Sequence, residues 1–118
     1  MTIKSVPARP TERVLMWRLA GPGGKVHFGA LGDGTVFQNL PGSGWRTILT
    51  GPADFGDAEA FILLTTRAAE SQGATVDVPP CEFGIDAAIT ADIRADRNWA
   101  RNDFALSVAF DMAKRVGR

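Results

Sequence analysis

The chain has 118 residues, with 13 Lys and Arg against 13 Asp and Glu, a formal net charge of zero at pH 7 and a pI near 6.6. Hydrophobic residues make up 45% and charged residues 22%, values average for a soluble globular domain, and no apolar run approaches the roughly 20 residues of a membrane span. The absence of an overall positive field argues against a nucleic-acid partner, and one cysteine with one histidine excludes a disulfide framework and multi-cysteine or two-histidine metal sites.

Residues 1–12 hold Pro7 and Pro10 and are expected to form a flexible leader; Lys4, Arg9 and Arg13 are followed by no apolar run, so a secretory signal is not expected. Residues 13–118 then suit a single globular domain. "RVLMWRLA", 13–20, carries Leu15, Trp17 and Leu19 on one face and Val14 and Met16 on the other, a pattern for a strand buried on both sides. "KVHFGAL" alternates Val26 and Phe28 against Lys25 and His27, and Asp33-Gly34 predicts a two-residue type I′ hairpin into "TVFQNL". Pro41-Gly42 fits a type II turn before a fourth strand, "WRTIL". The glycines of this half resemble a phosphate cradle only superficially. Val26 stands where that loop needs Ser or Thr, and a strand follows where a helix is required, so turns and bulges are the better reading and no cofactor is expected.

"GPADFG" reads as a loop, and residues 57–72 predict one helix with Asp57 as N-cap, Phe61, Leu64 and Ala68 on a stripe, and Gly73 just past the end. "ATVDV" predicts a short strand ended by Pro79-Pro80. From Ile85 to Ala95 the odd positions are Ile or Ala, and from Phe104 to Met112 the even ones are large and apolar. This period of two predicts a long C-terminal hairpin. A helix is the alternative, supported by Asp103 as N-cap, Lys114 and Arg115 in a last turn and Gly117 beyond it, but it would spread five large residues around about 240°. The expected fold is therefore α+β: a mainly antiparallel sheet, built from an N-terminal meander and a C-terminal hairpin, with one helix packed across it.

No catalytic constellation is visible. His27 reads first as a strand histidine; a dyad with Cys81 would need the fold to join them. Asp92, Arg94 and Asp96 would share the polar face of a strand, and Arg97 and Arg101 flank Trp99 in "DRNWARND", the expected tip of the hairpin. An exposed Trp beside arginines suits a contact with a partner chain or an anionic ligand. Charge is uneven along the chain, +4 over residues 1–50, −5 over 51–84 and +1 over 85–118, which can serve self-association. These features favour a non-enzymatic, cytoplasmic interaction module that forms a homodimer. The alternatives are a small-molecule binder or enzyme, with a pocket between sheet and helix lined by His27, Asp92, Arg94 and Asp96, and a single-strand nucleic-acid binder using residues 94–101.

Overall fold

The computed structural model describes residues 10–50 and 55–116. Five strands, β1 (Thr11–Gly21), β2 (Gly24–Leu31), β3 (Val36–Leu40), β4 (Gly44–Leu49) and β5 (Thr75–Asp86), accompany three helices, α1 (Phe55–Glu70), α2 (Ala87–Arg94) and α3 (Trp99–Val116). The strands form one antiparallel sheet in the order β4-β3-β2-β1-β5. The fold is α+β, with α1 on one face and α2 and α3 on the other. Most of the expected leader, and residues 51–54 of the loop expected at "GPADFG", lie outside the described residues, while Phe55 and Gly56 of that stretch open α1 instead; Thr11 and Glu12 already belong to β1, opposite Asp86 and Ile85.

The two faces of β1 explain the layering. Leu15, Trp17 and Leu19 pack with Phe28, Val36, Ala58 and Ile62 beneath α1, while Val14 and Met16 pack with Leu31, Phe37, Ile93, Leu106 and Phe110 beneath α2 and α3. Polar anchors fix each layer: Trp17 Nε1 donates to Thr66 Oγ1 of α1 (3.1 Å), and Thr47 Oγ1 of β4 donates to the Ile93 carbonyl of α2 (2.5 Å).

The connections follow local chemistry, with three departures from expectation. Pro41-Gly42 makes the expected turn, with Gly42 at φ 82 and Ser43 N bonded to Leu40 O. The β2–β3 loop has three residues instead of two, because Gly34 alone takes a positive φ (90°): Gly34 N meets Leu31 O, Leu31 N meets Thr35 O, and Asp33 Oδ1 accepts from Thr35 N. α1 ends as expected at Gly73 (φ 96), through Gly73 N to Glu70 O and Ala74 N to Ala69 O, whereas Asp57 lies in its first turn and is not its cap. The third departure is β5, which runs on through Pro79-Pro80. It is an edge strand, so the prolines need not donate, and a register shift between Met16–Cys81 and Arg18–Val78 absorbs them.

The expected C-terminal hairpin is absent, and two helices take its place. Asp86 ends β5 and caps α2, its Oδ1 accepting from Ala88 N (2.8 Å). In α3, Leu106, Ala109, Phe110 and Ala113 are buried, a helical spacing of i, i+3, i+4, i+7. The period of two arises because Phe104, Val108 and Met112, interleaved with that set, point to solvent. The physical reason is coverage: the Val14–Met16–Leu31–Phe37 face of the sheet needs a layer across it, which a hairpin extending the sheet at its edge could not supply.

Candidate functional site

The carboxylate of Asp92 organises the α2–α3 junction. Only 5% exposed, it accepts from Arg97 Nε (3.2 Å) and Asn98 Nδ2 (3.1 Å) on Oδ1, and from Arg101 Nη2 (2.8 Å) and Asn102 Nδ2 (2.9 Å) on Oδ2. Hydrogen bonds from Asn102 and Asn98, then from the two arginines, hold its pKa well below the usual carboxylate range. Both guanidinium groups of the expected contact tip are thus engaged locally. Asp92→Asn places an amide N–H₂ against one of the two donor pairs, so a lower melting temperature and faster amide exchange across residues 96–102 are expected. Unchanged exchange there would show that the hub does not order the junction.

Arg94 and Asp96 are likewise structural. Arg94 holds both oxygens of Glu12, with Nη1 at 2.8 Å from Oε1, and its Nε donates to Asp33 Oδ2 (2.7 Å), tying α2 to β1 and to the β2–β3 loop. Thr90 Oγ1 also donates to Glu12 (2.8 Å), and with Arg94 it draws the Glu12 pKa down. Asp96 closes α2 in the left-handed region (φ 53), with Asp96 N bonded to Ile93 O and Arg97 N to Asp92 O. Its Oδ1 accepts from the Thr47 amide of β4 (3.0 Å) and from Trp99 Nε1 (2.8 Å), which lowers its pKa.

Trp99 is not at an exposed tip. It opens α3 half-buried, its ring 6.2 Å from Trp45 at 9° and 6.2 Å from Phe37 at 29°. Trp45 Nε1 donates to Asp103 (2.6 Å), and the stack continues through Phe110 to His27, whose ring meets Phe110 edge-on at 4.8 Å. His27 therefore lies on the α3 face of the sheet. Two strand steps and two residues along β1 separate it from Cys81, since Met16 of β1 faces Cys81 and Arg18 of β1 faces His27, about 11–12 Å at the usual strand spacing and rise. No dyad forms, and burial pushes the Cys81 thiol pKa up.

Burial, with Arg18 and Lys25 nearby, lowers the His27 pKa from 6.5 to about 4, and among the described residues its buried Nδ1 has no hydrogen-bond partner. The unfolded chain takes up this proton as pH falls through 6.5, the folded chain only near 4. The His27 contribution is therefore fully present above the unfolded value and declines between pH 6.5 and 4. Denaturant midpoints at neutral and mildly acidic pH should converge in His27→Gln relative to the parent. An equal acid loss in both proteins would remove His27 as its source.

Two apolar features are open at the surface of the described residues. Under the C-terminal half of α1 lies a cavity of about 460 Å³, walled by Leu19, Val26 and Phe28 from the sheet, Leu40, and Thr65 and Ala69 from the helix. His27, Asp92, Arg94 and Asp96 do not reach it, because they lie on the other side of the sheet. The outer face of α3 exposes Phe104 (79%), Val108 (39%) and Met112 (48%) within an arc of about 80° at 100° per residue. The sequence signal for this stripe was its i, i+4, i+8 spacing, masked by the buried Leu106 and Phe110 between its members.

No protein-family model, curated protein or solved structure matches the chain. Among the described residues, no helix is long and apolar enough to cross a membrane, and no group of three or more His, Cys, Asp or Glu side chains could hold a metal ion.

Proposed function

We propose that the protein is a non-enzymatic interaction module of the cytoplasm that self-associates through the outer face of α3. The observation that carries this reading is the apolar stripe of Phe104, Val108 and Met112, left in solvent while Leu106 and Phe110 on the same helix fill the core. A stripe on one helix is self-complementary under a two-fold axis, and a chain of zero net charge opposes its own association with no net repulsion. Three such side chains make a small interface, below about 1,200 Å² in total, which corresponds to weak or transient association.

Sedimentation equilibrium across the micromolar range tests it. A concentration-dependent dimer is expected, and Phe104→Ser should weaken it by about 2 kcal/mol, roughly thirty-fold in Kd, with folding stability nearly unchanged. A monomer throughout, or a dimer indifferent to this substitution, overturns the reading.

The cavity under α1 supports a second reading, a binder of small apolar molecules. Its volume falls within the usual range for ligand pockets, about 300–1,000 Å³, and Thr65 is the one polar side chain on its helical wall, already donating to Phe61 O (2.9 Å). Ala69→Trp should fill it. A solvatochromic apolar dye that binds the parent and this variant equally would exclude the cavity as the site.

A further inference from the structure

On the opposite side of the sheet from that cavity, Arg18 is only 4% exposed yet lines an open basin of about 520 Å³ between β1, β2 and the last turns of α3. Its Nε donates to Asp77 (2.5 Å) and its Nη1 to Asp111 (2.9 Å), whereas its Nη2 donates to no group among the described residues. Asp77, itself largely buried, also accepts from Lys114 Nζ (2.8 Å) and lies 3.7 Å from Lys25 Nζ. These contacts, led by the Lys114 hydrogen bond, hold its pKa at about 2. Lys25, Asp111, Lys114 and Arg115 complete the lining.

The charges do not balance. Arg18, Lys25, Lys114 and Arg115 face two carboxylates, Asp77 and Asp111, which leaves two positive charges around the basin. Asp77 and Asp111 fix the Arg18 guanidinium, and Asp77 also holds the Lys114 ammonium, so these two groups are oriented in advance and little ordering is required of them on binding. An arginine held this way, with Lys25 of β2 and Lys114 and Arg115 of α3 lining the same basin, supplies the guanidinium and ammonium groups suited to a tetrahedral oxyanion. We propose that this basin binds a phosphate dianion, either free or as the monoester of a small molecule. A doubly charged ligand matches the two unbalanced charges. A nucleic-acid strand fits less well, because the chain has zero net charge and the arginines of the α2–α3 junction, Arg97 and Arg101, are paired with Asp92.

The test is titration of the full chain with inorganic phosphate, and separately with glycerol 3-phosphate, at ionic strength held constant with chloride, read by thermal shift and by amide chemical shifts around β1, β2 and α3. Saturable stabilisation is expected, with at least a tenfold loss of affinity in Lys25→Gln/Arg115→Gln. Both positions are exposed, so this variant should keep its fold. Tighter binding of the monoester assigns the site to a phosphorylated small molecule, and equal binding assigns it to the free ion. A response that chloride reproduces, one that the double variant leaves intact, or saturable binding only of a single-stranded oligonucleotide overturns the proposal.

Discussion

Gly29→Ala is expected to destabilise the fold by about 3 kcal/mol, the upper end of the usual overpacking cost, or roughly 10 °C in Tm. Gly29 does not adopt a left-handed backbone conformation. It is needed because the ring of Phe37, its cross-strand neighbour on β3, lies across it: an added Cβ would come within 2.2 Å of Phe37 Cζ and 2.3 Å of Cε1. The ring has nowhere to retreat, since it is fully buried and packs against Trp45 at 6.0 Å and Trp99 at 6.2 Å. Combining Gly29→Ala with Phe37→Leu should therefore cost less than the two single changes together, because the smaller side chain vacates the clash. Simple additivity in denaturant melts would show that Phe37 is not the obstacle.

Trp99→Ala is expected to cost about 3 kcal/mol of folding stability, toward the low end for truncating a packed tryptophan because the ring is only half-buried. The loss removes the stack on Trp45 and Phe37 and the hydrogen bond to Asp96, so β4 and the α2–α3 turn loosen together. Phe104 predicts the reverse. Its substitution should leave folding nearly untouched and weaken association, so Trp99 and Phe104 of α3 separate stability from assembly. A Trp99→Ala protein within ~0.5 kcal/mol of the parent, the range of a plain surface substitution, would mean that the stack contributes little. It would return Trp99 to the role of a surface contact.

The placement of the arginines turned on the same question of helix against strand. As a strand, "TADIRAD" aligns Asp92, Arg94 and Asp96 on one side. As the end of a helix followed by a left-handed turn, the same residues point three ways: Asp92 toward Asn102 and Arg101, Arg94 toward Glu12 and Asp33, and Asp96 toward Thr47. Their partners are as many as 82 positions away in sequence, beyond the reach of any local pattern.

Local sequence by itself determined the meander. β1 is apolar on both faces, Pro41-Gly42 fixes its turn through its own φ preferences, Gly34 marks the place of a turn though not its length, and Gly73 stops α1, without help from the rest of the chain. It also determined that one helix would follow the meander and pack across the sheet; which face it covers came from the packing of Ala58 and Ile62. Tertiary structure decided the C-terminal third. Residues 104–112 satisfy a strand's alternation and a helix's buried stripe equally well, and only the uncovered face of Val14, Met16, Leu31 and Phe37 selects the helix, by burying Leu106 and Phe110 against it. That choice left Phe104, Val108 and Met112 outside. It also brought Lys114 and Arg115 over Arg18, so both surfaces proposed on α3 result from packing between segments that local sequence leaves unrelated.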